Sequence, residues 1–200
     1  MRAFALVTTI AVLLFAAPAA FAQSPGGASP DSAASTAAPA PTGGAAYGEP
    51  DPAITQVTDA PAATLLPNGY AAAPASAPQP VKDAIAAANV IIGKPYVYGG
   101  GHNARFAGRG YDCSGTVSFA LHGGSLMTSP LDSGSFMKWG EKGPGAWITV
   151  YTNPGHAFAV IAGLRLDTSA AGDPSGAKGP RWRPALRSTK GFRARHPVGL

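Results

Sequence analysis

The spacing of apolar residues predicts two helices in the second half of the chain. Ile85, Ala88 and Ile92 follow the i, i+3, i+7 pattern of an amphipathic helix over Lys82–Ile92, which Gly93 ends. The run SGTVSFALH (114–122) is nearly continuous in apolar and small residues and is followed by two glycines. It predicts a second, buried helix.

Three segments after these helices predict β-strands. They are rich in β-branched and aromatic residues and are bounded by Asn153-Pro154-Gly155 and by Gly163. Their bounds are 146–151 (AWITVY), 156–162 (HAFAVIA) and 164–168 (LRLDT). Helices followed by a strand meander predict an α+β fold, in which the helices pack on an antiparallel sheet.

The composition changes sharply at Val81. Residues 23–80 are mostly Ala, Pro, Gly, Ser and Thr, with four acidic residues and no Lys or Arg. Such a stretch buries too little apolar surface to offset the entropy lost on ordering, so it predicts a disordered linker. Residues 81–200 then form one compact domain.

The first 22 residues predict export. Met1-Arg2 precedes an apolar stretch over residues 4–15, and Ala20-Phe21-Ala22 is a small-residue pattern typical of signal-peptide cleavage. The apolar stretch is shorter than the roughly 20 residues that a membrane span needs. We therefore expect a protein of the cell wall, the periplasm or the medium, with no transmembrane span after processing and no lipid-anchoring cysteine.

The single cysteine of the chain, Cys113, stands in the segment YDCSG. Alone, it cannot close an internal disulfide, which leaves a reactive thiol, a bridge to another molecule or a buried small side chain. Cys113 lies at the start of the second predicted helix, where unpaired N–H groups and the positive dipole end stabilise a thiolate. This position favours a nucleophile.

A nucleophilic cysteine needs an imidazole to pair with the thiolate and to protonate the leaving group. Among four histidines, His156 is the best candidate, because it opens an otherwise apolar strand directly after a turn. A purely structural role for His156 stays open.

A carboxylate is predicted beside His156. A tight turn at Ala162-Gly163 pairs Ile161 with Leu164 and puts Asp167 on the sheet face of His156, within diagonal reach. Asp167 could then orient the imidazole as the third member of a triad. A register slip of one residue would present Thr168 or Leu166 instead.

These residues resemble the NlpC family of bacterial cell-wall cysteine peptidases. The resemblance rests on GKPYVYGG (93–100), DCSG (112–115) and a strand headed by Gly155-His156. It implies a minimal papain-like fold in which Cys113 is the nucleophile and His156 the base. The family usually has His, Asn or Gln where this chain offers Asp167.

The resemblance also implies a pocket and a substrate. Tyr98 and Asp112, with Ser114 beside them, would bind the substrate. The expected substrate is the stem peptide of peptidoglycan, cleaved between the γ-carboxyl of D-glutamate and a diamino acid. Two alternatives remain: a non-catalytic wall-binding module on the same fold, and an amidase or acyltransferase that uses the same Cys–His pair.

The histidines lie far apart in sequence and no second cysteine exists, so we predict neither a metal nor another cofactor. After Asp173 the chain is basic and carries no acidic residue. This basic run predicts contact with anionic envelope polymers, or only a solvated face, and nucleic acid is a poor partner for an exported protein. Its members are Lys178, Arg181, Arg183, Arg187, Lys190, Arg193 and Arg195.

Overall fold

The computed structural model describes residues 52–184 and 186–200. The signal peptide predicted over residues 1–22 and the first part of the linker predicted over residues 23–80, up to residue 51, lie outside this part of the chain. The elements in chain order are β1 (Val57–Thr58), β2 (Thr64–Leu65), β3 (Ala71–Pro74), α1 (Gln79–Ile91), α2 (Cys113–Gly123), α3 (Ser133–Phe136), β4 (Glu141–Lys142), β5 (Ile148–Asn153), β6 (His156–Ile161), β7 (Leu164–Asp167), β8 (Arg181–Arg183) and β9 (Arg193–His196).

A six-stranded antiparallel sheet forms one layer, with the strand order β4-β9-β5-β6-β7-β8. Helices α1 and α2 pack together, and α2 packs on β6. The fold is therefore α+β, as the sequence predicted. The hairpin register is confirmed as well, since Ile161 pairs with Leu164 across a turn in which Gly163 has a φ of 83°.

Helix α2 is the central element of the core. Its residues from Cys113 to Leu121 are all buried, as expected for a helix that is apolar or small on every side. Asp112 caps its N-terminus, because one carboxylate oxygen accepts the backbone N–H of Gly115 at 2.7 Å. The sequence located this helix correctly to within one residue at each end.

Helix α1 begins three residues earlier than the sequence predicted. Proline is tolerated in the first turn of a helix, where backbone N–H groups have no partner within the helix, so Pro80 does not prevent a start at Gln79. Gly93, with a φ of 89°, follows the last turn.

Residues 57–80 differ from the disordered linker that their composition predicted. They contain β1, β2, β3 and the start of α1, and the alanines of β3 are buried. The side chain of Asn89 on α1 anchors this region: its amide oxygen accepts the Ala71 N–H at 2.9 Å, and its amide nitrogen donates to the Ala71 and Ile54 carbonyls at 2.9 and 2.8 Å. A buried, fully bonded asparagine compensates for the small apolar surface of the alanines.

The basic run also contributes to the sheet, which the sequence did not anticipate. Strand β8 extends the edge beyond β7, and β9 inserts between β4 and β5. Over residues 52–184 and 186–200, no helix combines the length and apolar character that a membrane crossing requires.

Candidate active site

Cys113 is the first residue of α2 and is 8% exposed. Its sulfur interacts with the imidazole of His156 and with the backbone N–H of Ala157. Burial by itself would raise the pKa of Cys113, but these two interactions and the charge of the imidazolium outweigh it, so the pKa is lowered. The thiol is therefore held in a setting that favours the thiolate.

His156 connects the thiol to a carboxylate. Its Nε2 lies 2.9 Å from Oδ1 of Asp167, which leaves Nδ1 for the sulfur of Cys113. Burial acts to lower the pKa of His156, whereas the bonds to Asp167 and Cys113 raise it to about 9. At neutral pH the imidazole is thus protonated, and its positive charge favours the thiolate form of Cys113.

Asp167 is completely buried and is ionised despite that burial. Its Oδ1 also accepts the Ser169 N–H at 2.8 Å, and its Oδ2 lies 3.2 Å from Nη1 of Arg187. Burial would raise the pKa of Asp167, but the bonds from His156, Ser169 and Arg187 hold it below its usual value.

The structure thus brings together Cys113, His156 and Asp167, the three residues that the sequence singled out. The chain of interacting side chains runs from the start of α2 through the first residue of β6 to the last residue of β7. Such a chain can activate a sulfur nucleophile and return a proton to a leaving group. That these residues catalyse a reaction stays a prediction.

Asp112 and Ser114 belong to a second polar network beside the thiol. Oδ1 of Asp112 accepts from Gly115 and lies 2.9 Å from Nε2 of His102, and Oδ2 accepts the Gly99 N–H at 3.0 Å. The Ser114 hydroxyl lies 3.2 Å from the same His102 nitrogen. Through these contacts, Asp112 and Ser114 have a structural role. Substrate binding by either residue stays a prediction.

The two tyrosines of the GKPYVYGG segment have different environments. Tyr98 is 91% exposed, and its contact with the substrate stays a prediction. Tyr96 pairs with Tyr111 in an isolated bridge, next to Asp112 and Cys113. Partial burial and the charges of Cys113 and Asp112 raise the pKa of the Tyr96 hydroxyl.

The sequence did not single out Tyr96, and a substrate contact by Tyr98 stays a prediction. The GKPYVYGG motif contains both tyrosines, and the sequence does not reveal that Tyr96 forms a bridge with Tyr111, because the bridge links segments distant in sequence.

The glycine-rich loop that contains the motif is closely packed. A Cβ on Gly100 would lie 2.3 Å from the Gly110 carbonyl oxygen, and a Cβ on Gly115 would lie 2.0 Å from the Gly100 carbonyl oxygen.

The basic run is divided between the interior and the surface. Arg183 and Arg195 are buried and donate to backbone carbonyls, including those of Asp167 and Trp139. Arg187 contacts Asp167, as described above. Contact with anionic envelope polymers stays a prediction, and in the described part of the chain it falls mainly to the exposed Lys178, Lys190 and Arg193.

Within residues 52–184 and 186–200, no group of three or more His, Cys, Asp or Glu side chains is placed to hold a metal ion. No protein-family model matches the chain, and none of the curated proteins compared with it matches its sequence. Among solved structures, the chain is similar to the peptidoglycan hydrolase RipB from Mycobacterium tuberculosis, with 24% identity and a TM-score of 0.44. The match covers 59% of this chain and 64% of the RipB chain, which is less than two thirds of its length.

Proposed function

We propose that this protein is a cell-wall cysteine peptidase that hydrolyses a peptide bond in the stem peptide of peptidoglycan. The observation that carries the proposal is the chain of interactions from Cys113 through His156 to the buried, ionised Asp167, in which His156 lies 2.9 Å from the carboxylate. The resemblance of GKPYVYGG, DCSG and the Gly155-His156 strand to the NlpC family supports the choice of substrate.

The proposed reaction has two half-reactions. The Cys113 thiolate attacks the scissile carbonyl carbon, and the C–N bond breaks as the imidazolium of His156 protonates the departing amine. This leaves a thioester on Cys113. His156 then takes a proton from water, the hydroxide attacks the thioester, and the C–S bond breaks to release a carboxylate and the thiolate.

Two groups beside the sulfur suit the charge that develops in this reaction. The backbone N–H of Cys113, at the first position of α2, has no acceptor within the helix and can bind the oxyanion. The raised pKa of Tyr96 keeps its hydroxyl protonated, so it can donate a hydrogen bond to bound substrate. We assign to Tyr96 the substrate contact that the sequence assigned to Tyr98.

We propose the bond between the γ-carboxyl of D-glutamate and the diamino acid as the scissile bond, because this is what the family resemblance implies. We also propose that the protein is exported, with residues 1–22 as its signal peptide. The substrate would then be within reach outside the cytoplasm.

The decisive experiment is mass spectrometry of muropeptides incubated with wild-type protein and with Cys113→Ala. We expect the wild type to release fragments cut at the γ-glutamyl bond, and the variant to release none while keeping its thermal midpoint. Fragments released by Cys113→Ala would refute the proposal. Binding to sacculi without any fragment from the wild type would favour the wall-binding module, and a cut at an amide outside the stem peptide would favour the amidase.

A further inference from the structure

Behind the proposed triad lies a segment of the basic run that the reaction scheme does not use. We call residues 186–192, which return across the sheet after β8, the return segment. It brings Arg187 and Phe192 to the side of β6 and β7 that carries His156 and Asp167. Its other basic residue, Lys190, is exposed.

Arg187 makes three contacts at this place. Its Nη1 lies 3.2 Å from Oδ2 of Asp167, and its guanidinium carbon lies 5.3 Å from the ring centroids of both Phe158 and Phe192. The Phe192 ring in turn meets the imidazole of His156 edge to face, with centroids 6.2 Å apart. A planar guanidinium is suited to binding a carboxylate while it packs against aromatic faces.

The charged groups around Asp167 come from four parts of the fold. The three arginines of this set differ in their contacts with Asp167. Arg165 lies in ion-pair range, with Nε 3.8 Å from Oδ2, but its buried guanidinium has no hydrogen-bond partner among the described residues. Arg183 donates to the backbone carbonyl of Asp167 and pairs with Asp173. The full set is His156 on β6, Arg165 on β7, Arg183 on β8 with its partner Asp173, and Arg187 on the return segment.

We propose that Arg187 is a positioning residue: it binds Oδ2 of Asp167, keeps Oδ1 on His156, and so orients the imidazole towards Cys113. Without Arg187, the guanidinium of Arg165, whose Nε lies 3.8 Å from Oδ2 of Asp167 and makes no hydrogen bond among the described residues, is the arginine left beside that oxygen and draws the carboxylate towards itself. The imidazole then loses part of its support, and with it the thiolate of Cys113 loses part of its stabilisation. The proposal rests on the proposed function only in that it takes His156 and Asp167 to be catalytic.

The test measures the thiolate directly, by the rate at which iodoacetamide alkylates Cys113 in the full-length protein as a function of pH. Arg187→Met removes the charge and the donors but keeps an apolar chain between the two phenylalanines. We expect the rise of its alkylation rate to occur at a pH about half a unit to one unit higher than in the wild type. Its kcat on muropeptides is expected to fall about tenfold, with KM changed less than about twofold.

The matched control is Lys190→Met, which removes one positive charge from the same segment without touching Asp167. Its alkylation profile is expected to coincide with that of the wild type. Arg187→Lys keeps a charge and a donor and is expected to recover most of the lost shift. If Arg187→Met does not fold, Arg187→Leu, which also removes the charge and the donors, replaces it in the comparison with Lys190→Met.

An unchanged profile in Arg187→Met, a shift to lower pH, or an equal shift in Lys190→Met would overturn the proposal. Alkylation needs no substrate, so the two proposals fail separately. If the wild type cleaves no muropeptide but Arg187→Met shifts the profile, the peptidase function is wrong and the positioning role stands. If the wild type cleaves muropeptides and the alkylation profiles of Arg187→Met and the wild type coincide, the peptidase function stands and the positioning role is wrong.

Discussion

Two histidine–aspartate pairs lie beside Cys113, and they have the same local geometry. His102 Nε2 is 2.9 Å from Oδ1 of Asp112, and His156 Nε2 is 2.9 Å from Oδ1 of Asp167. Distance alone therefore does not distinguish a proposed catalytic pair from a structural one.

The difference lies in what the remaining atoms of each pair contact. The Asp112 carboxylate caps α2 and holds the glycine-rich loop through Gly115 and Gly99, so that pair belongs to one local network. The imidazole of His156 instead contacts the thiol, and the Asp167 carboxylate is held by Arg187. Contacts drawn from separate elements make the second pair suited to move a proton to and from sulfur.

The largest difference between the pairs should appear when each histidine is replaced. His156→Gln removes the acid and base and is expected to lower kcat/KM on muropeptides by about 1,000-fold. His102→Gln keeps a donor to Asp112 and should lower it by less than about fivefold. Steady-state kinetics on both variants tests this, and equal losses would mean that His102 takes part in catalysis.

Replacing each aspartate should also affect the two pairs differently, but the difference in kcat should be smaller than for the histidines. Asp167→Asn is expected to lower kcat by about 10- to 100-fold, because the imidazole loses its ionic partner. Asp112→Asn keeps a good N-cap and should change kcat by less than about threefold. A strong rise in KM for Asp112→Asn would instead support the substrate contact that the sequence predicted for this residue.

The smallest effect concerns pH. The active pair needs Cys113 deprotonated and His156 protonated, so kcat/KM should fall as pH rises through about 9, the pKa of His156. Because Asp167 raises the pKa of His156, Asp167→Asn should move this alkaline limb to lower pH, whereas Asp112→Asn should leave it in place. A wild-type rate that keeps rising beyond pH 9 would contradict the ion-pair assignment.

Residues 57–80 and α2 show where sequence patterns succeed and fail. Helix α2 carries its own signals, a capping aspartate, an apolar run and closing glycines, and its bounds were predicted closely. The alanines of β3 carry almost no periodic signal, and their burial depends on Asn89, which is distant in sequence. A low-hydrophobicity stretch thus became part of the domain through backbone hydrogen bonds that composition does not report.

The sequence by itself determined the features that depend on neighbours along the chain. The helix start at Cys113 follows from the cap at Asp112, and the approach of Asp167 to His156 follows from one tight hairpin with a side-chain period of two. Only the tertiary structure decided that the imidazole meets the thiol, that Tyr96 interacts electrostatically with Cys113, and that Arg187 binds Asp167. The physical reason is that these contacts join elements far apart in sequence, whose relative placement is set by packing rather than by local conformation.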